Sequence, residues 1–190
     1  MALSGLPRQP DDRELLAFVA DVFARTNLRG ALIGGVARNE WALPRMTFDL
    51  DFTVVADDTA ERAFVAAMQD SGFTVMREQA AGAPSGPDFI QLYNYATHHT
   101  VEVQAAKTEY QGQLIARAIP IEGLPPLRVA LREDLIVLKL LAFRPKDQLD
   151  MREIAAPDLD WAYIEKWAAE WQTLDRLAWL RREGVQPETD

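Results

Sequence analysis

The alternation of apolar and polar residues divides the chain into mixed strands and helices up to residue 126 and helices alone after it. Leu15, Leu16, Val19 and Phe23 recur at helical spacing, and Asp11 with Glu14 three residues on has the form of a capping box. A first helix is therefore expected, ending over 27–30. The apolar run 31–33 stops at Gly34-Gly35, as a buried strand does on entering a tight turn; a short helix over 36–43 follows, closed by Pro44. Over 46–55 the period becomes two: Phe48, Leu50, Phe52 and Val54 share one face, Thr47, Asp49, Asp51 and Thr53 the other. A helix over 59–70, capped by Asp58 or Thr59, and a strand over 73–77 come next. Residues 79–87 have the composition of a turn-rich loop, and 88–95, 100–106 and 114–121 read as an antiparallel meander. Beyond the Pro125-Pro126 break, helices are expected over 132–143, 146–154, 160–171 and 173–182, then a frayed tail.

This order of elements predicts an α/β (α+β) protein, a small mixed β-sheet flanked by helices with a helical C-terminal part. The 190 residues suit one compact unit, with 1–126 as the α/β core, 127–184 as a helical region packed on it and 185–190 as a tail. Such a length buries enough surface to fold without metal or disulfide. The absence of cysteine excludes a thiolate zinc site and a cysteine nucleophile. The first residues lack the apolar core of a secretory signal, and no apolar stretch reaches the ~18 residues of a membrane span, so a cytoplasmic protein with no membrane partner is expected.

With 20 Lys+Arg against 29 Asp+Glu, the net charge of −9 argues against a general nucleic-acid binder. The charge is unevenly placed: residues 49–70 carry six acids and only Arg62, between two mildly basic stretches, 1–45 and 128–152. A divalent cation could sit beside a polyphosphate in that pattern, although a solvated acidic face is the commoner cause.

Asp49 and Asp51 lie at i and i+2 on an otherwise apolar strand, so both leave the same sheet face. Unpaired they would repel each other and resist desolvation; either a divalent cation offsets that, or the face is simply wet. Glu102 points away from Val101 and Val103, and if its strand neighbours that of Asp49, three carboxylates line one surface. Alternatively it is an exposed hairpin residue. Gly34-Gly35 at a strand–helix junction would let backbone N–H groups approach a phosphate, yet neither GxxxxGK[ST] nor GxGxxG occurs. Lys139 is the single polar residue in 135–143, so it either snorkels to the surface or reaches a phosphate or carboxylate. His98 and His99, the two histidines, are adjacent and cannot chelate one ion from a strand. Trp161, Ile164, Trp167 and Trp171 form a helical stripe of the kind found in cores and subunit interfaces.

In this order, Leu32-Ile33-Gly34-Gly35, then Phe48-Asp49-Leu50-Asp51-Phe52, then Val101-Glu102-Val103 resemble the nucleotidyltransferase superfamily of the DNA polymerase beta type. Arg45-x-Thr47-x-Asp49-x-Asp51, the later Glu133-Asp134-Leu135-Ile136-x-x-Lys139 and Arg144-x-Lys146-Asp147-x-x-Asp150 resemble its AbiEii-type toxin branch and uncharacterised relatives; aminoglycoside nucleotidyltransferases share the front half. The third acid is commonly Asp in these families and here is Glu102, and Gly35 stands where Ser is common.

The resemblance implies a Mg²⁺-dependent enzyme that moves an NMP from an NTP to an acceptor hydroxyl and releases pyrophosphate. Asp49 and Asp51 would hold Mg²⁺ on the triphosphate, and Glu102 would hold a second ion or act as base. Gly34, Gly35, Arg45 and Thr47 would contact phosphates, Lys139 would steady the polyphosphate, and Asp147 and Asp150 would be structural. The acceptor could be protein, tRNA or a small molecule, and a homo-oligomer is compatible with the Trp stripe. Two other readings compete: a catalytically inactive binding or regulatory module of the same fold, and a glycosyltransferase using Asp-x-Asp.

Overall fold

The computed structural model describes residues 11–47, 49–55, 57–79 and 89–184. The sheet is built from β1 (Arg29–Ile33), β2 (Asp49–Val55), β3 (Phe73–Gln79), β4 (Phe89–Asn94), β5 (His99–Ala105), β6 (Ile119–Pro120) and β7 (Arg128–Val129), in spatial order β3-β4-β5-β2-β1-β7-β6. It is mixed: β2 runs parallel to β5 and β1 parallel to β7, and the other pairings are antiparallel.

Helix α1 (Asp12–Thr26) starts at the capping box, with Glu14 N donating to Asp11 Oδ1 at 2.8 Å and Asp11 N to Glu14 Oε2 at 3.1 Å. Asn27 in the left-handed conformation ends it, where a short polar side chain is tolerated. α1 packs beside α3 (Asp58–Asp70) under the apolar side of the sheet. There Phe23 meets Phe52 at 5.0 Å and Phe64 edge-on at 5.6 Å between ring centroids. Leu50, Phe52, Val54, Leu92, Val101 and Val103 all bury into this layer, so the polar alternates of β2, β4 and β5 face the other way.

The predicted strand over 46–55 begins only at Asp49; Phe48 lies outside the described residues, as do most of the predicted loop, 80–88, and the tail from 185. The strand over 73–77 extends to Gln79. The meander is half correct. β4 and β5 form the hairpin, but 114–121 is not a third strand: α4 (Glu109–Arg117) crosses there and only Ile119–Pro120 pairs with β7. Thr108 accepts from Gln111 N while the Gln111 side chain reaches back to Thr108 N, a capping box that sets the helical period burying Tyr110 and Leu114.

The remaining helices are α2 (Gly34–Asn39), α5 (Arg132–Ala142), α6 (Pro145–Ile154), α7 (Trp161–Glu170) and α8 (Leu174–Glu183). α5 packs on α2, α6 and α7, and Trp41 Nε1 donates to Ala130 O at 2.9 Å just before α5. Of the Trp stripe, Ile164 and Trp167 are core, and Tyr110 lies against Trp167 and Trp171 at 5.0 and 4.5 Å. No described helix is long and apolar enough to cross a membrane.

Candidate active site

The chain leaves β1 at Gly34 with φ +72°. Ile33 is the register partner of Asp51 on the antiparallel β2, so this turn is pressed against the Asp51 carboxylate. A Cβ at Gly34 would stand 1.9 Å from Asp51 Oδ2, and a Cβ at Gly35 would meet Thr47 Oγ1 at 3.2 Å. Backbone sign and close approach therefore both require glycine at 34. Gly34→Ala is expected to cost at least about 1–2 kcal/mol from the left-handed backbone alone, plus the displacement of Asp51. Urea denaturation checks it, and a variant as stable as the wild type would contradict this packing.

Parallel pairing of β2 with β5 places Asp51 opposite Glu102 and Asp49 opposite Thr100. The condition attached to Glu102 in the sequence is thus met, and Asp51 and Glu102 stand side by side on neighbouring strands. Burial, then the charges of Glu102 and Asp49, push the Asp51 carboxyl up to about 7, with Lys146 offsetting part of the rise. Asp49 is exposed at the strand start. Among the described residues, no three His, Asp or Glu side chains form a ready ligand set; the acids in contact are Asp51 and Glu102. Gln91 Nε2 donates to Glu102 Oε1 at 2.6 Å, and Gln104 Nε2 donates to Thr53 Oγ1 at 2.8 Å.

The raised Asp51 fixes the sign of a pH effect. Its folded value of about 7 lies above the ordinary 3.8, so the folded state binds this proton more tightly than the unfolded chain does. That stabilisation is complete below about pH 4 and is lost as pH rises through about 7. In metal-free buffer the melting temperature of wild type relative to Asp51→Asn is expected to fall across this window. Parallel curves would contradict the crowding of the acids.

The opposite wall comes from α5 and α6. Phe143 in the left-handed conformation and Pro145 at the start of α6 reverse the chain, so Lys139 faces Asp147 and Asp150. Asp150 is 1% exposed and takes Arg45 Nε and Nη2, each at 2.9 Å, and Lys139 Nζ at 2.7 Å, with Arg38 Nε 3.6 Å away. Burial by itself would raise Asp150, but the hydrogen bonds from Arg45 and Lys139 outweigh it and hold the carboxyl below its usual range. Asp147 behaves alike: burial opposes, and the Arg144 side chain donating at 2.7 Å prevails. Lys139 does not snorkel to the surface: it is buried and donates to the Asp150 carboxylate. Arg38 is 1% exposed, with its charge set against Asp150 and Glu153.

Between the walls opens a cleft of about 420 Å³. The residues that the resemblance assigns to metal and nucleotide line it: Gly34, Gly35, Arg45 and Thr47 at the corner, Asp49, Asp51 and Glu102 on the sheet, Lys139 opposite. Arg144, Lys146, Asp147 and Asp150 line it as well; their Arg-x-Lys-Asp-x-x-Asp spacing was visible, but nothing local showed which cations the acids would hold. Gln91 carries one signal in the sequence, its place between the apolar Ile90 and Leu92, both of which are buried. His98 is exposed in a turn and His99 is buried, on no part of this cleft.

No family model and no curated protein matches the sequence. Solved structures do match in fold. The antibiotic-resistance factor ANT(2'')-Ia in solution is similar over 88% of this chain and 94% of its own, at 16% identity and a TM-score of 0.60. Its crystal structure with adenylyl-2''-tobramycin matches over 85% and 97%, at 16% identity and a TM-score of 0.59. A Helicobacter pylori protein described as a candidate nucleotidyltransferase matches over 88% and 78%, at 17% identity and a TM-score of 0.50. The chain thus shares its fold with ANT(2'')-Ia and with this Helicobacter pylori protein.

Proposed function

We propose that this chain is a nucleotidyltransferase that moves an NMP from an NTP to an acceptor hydroxyl. The observation that carries the reading is the Asp51–Glu102 pair, in register on parallel strands and pressed against Gly34, facing a basic wall across one cleft. Arg45, Lys139, Arg144 and Lys146 outnumber Asp147 and Asp150 on that wall, which leaves net positive charge for a triphosphate. Three carboxylates on the other wall suit the reacting phosphorus and the acceptor.

The donor set fits Mg²⁺. That ion is typically bound through one or two carboxylates plus substrate phosphates, so Asp51 and Glu102 with Asp49 beside them suffice without a closed protein cage. Burial and the neighbouring charges of Glu102 and Asp49 raise Asp51, and a cation would offset both. Held by Asp51 and Glu102, with Asp49 beside them, Mg²⁺ would neutralise charge on the phosphates and acidify the attacking hydroxyl.

The chain's own groups do the rest. The basic wall and the Gly34-Gly35 corner orient the triphosphate, with Thr47 beside it. The acceptor hydroxyl passes its proton to the Asp51–Glu102 pair as its oxygen bonds to the α-phosphorus. The bond from that phosphorus to the bridging oxygen breaks, and pyrophosphate leaves with its charge met by Arg45, Lys139, Arg144 and Lys146. An NTP substrate is consistent with work in the cytoplasm. The AbiEii-type branch is the finer reading, supported by the Arg144-x-Lys146-Asp147-x-x-Asp150 run.

The test is transfer of label from α-³²P NTPs with Mg²⁺ to a panel of small hydroxylated molecules, tRNA and protein. Small molecules come first because ANT(2'')-Ia is seen with adenylyl-2''-tobramycin. Labelled acceptor with stoichiometric pyrophosphate is the expected result. Absence of Mg·NTP binding by calorimetry would instead leave an inactive module of the same fold.

A further inference from the structure

Gln91 sits mid-strand on β4 between the buried Ile90 and Leu92, so its side chain leaves the cleft side of the sheet. Its register partner on β5 is Glu102, whose partner on β2 is Asp51. One row across the sheet thus reads Gln91, Glu102, Asp51. Gln91 Nε2 donates to Glu102 Oε1 at 2.6 Å, and Glu102 faces Asp51 in register.

Among the described residues, the side-chain amide that donates to Glu102 is that of Gln91. A half-buried glutamate beside two other carboxylates gains by swinging toward water, because each like charge disfavours its neighbours. A neutral amide donor opposes that swing without adding charge. A lysine or arginine in its place would neutralise Glu102 and compete with any cation at the site.

We infer that Gln91 is a positioning residue: it holds the Glu102 carboxylate against Asp51 and thereby keeps the two oxygen ligands together for a divalent cation. The inference deepens the nucleotidyltransferase reading and rests on it for its purpose. Partners of this kind, one bond removed from the ion, typically change metal affinity 10–100-fold when removed.

The experiment compares wild type with Gln91→Met, which keeps side-chain length and removes the donor. Mn²⁺ serves as the probe, titrated without nucleotide and followed by electron paramagnetic resonance, with melting temperatures in parallel. The variant is expected to bind Mn²⁺ about 10–100-fold more weakly while melting within a few degrees of wild type. Affinity within twofold of wild type overturns the inference. If wild type binds no Mn²⁺, the metal-dependent reading fails instead, and the crystal structure of Gln91→Met decides this one. Glu102 turned away from Asp51 supports it; Glu102 unmoved overturns it.

Discussion

Asp51→Asn is expected to abolish NMP transfer while leaving the fold as stable as before, or more so. Asp51 is the carboxylate that the sheet register, the Gly34 turn and Glu102 all converge on. An amide of the same size cannot take the acceptor proton or hold a cation with a negative charge. Charge stabilisation at such centres is worth several kcal/mol, which at 1.36 kcal/mol per decade corresponds to about 10³-fold or more in rate. Stability should move the other way. At pH 8 the wild-type site holds ionised acids that burial and mutual repulsion oppose, and asparagine removes one of them. Loss of label transfer together with an unchanged or higher melting temperature identifies a group kept for chemistry at a cost in stability. Transfer within tenfold of wild type would sink the assignment of Asp51, and an equal loss of activity and folding would reduce it to a structural residue.

The acidic wall was legible because it is written in local alternation. Leu50, Phe52 and Val54 claim the core face of β2, and Val101 and Val103 that of β5, so Asp49, Asp51 and Glu102 have one direction left. What the sequence could not say is that β2 and β5 are neighbours, a pairing across about fifty residues with α3, β3 and β4 lying between them in the chain. α4 was misread for a different reason. The apolar residues of 114–121 satisfy a strand pattern as well as a helical one, and the arbiter was the Thr108–Gln111 box just upstream. On the basic wall the residue types were visible and their pairing was not. Lys139 looks like an isolated cation in a buried helix until α6 folds back and delivers Asp150 to it. Arg38, on the short helix α2, is among the most buried side chains, set against carboxylates that arrive from α6.

Asp150→Ala is expected to be the most destabilising single change on that wall. The carboxylate accepts two hydrogen bonds from Arg45 and one from Lys139, with Arg38 close by, and it ties the loop before β2 to both α5 and α6. Its removal strands two cations that are themselves nearly inaccessible, Lys139 at 7% and Arg38 at 1% exposure. Breaking a buried pair from one side costs about 3–5 kcal/mol, because the surviving charge keeps its desolvation penalty and loses its compensation. Asp147, 3.8 Å from Lys139, and Glu153, paired with Arg38, absorb part of this, which places the expectation at the lower end of that range. Adding Lys139→Met should then recover stability relative to Asp150→Ala alone, since the double variant removes a stranded charge along with its partner. Because the folded Asp150 is held below its usual range, its contribution is present above about pH 4 and fades as pH falls further, opposite in sign to that of Asp51. NTP affinity should fall in the single variant as well, for Arg45 and Lys139 lose the group that aims them into the cleft. Urea denaturation of the two single variants and the double, at pH 7 and pH 3, measures every step. An Asp150→Ala cost below about 1 kcal/mol, the scale of an exposed ion pair, would mean that the wall is wet and that Arg45 and Lys139 are aimed by something else.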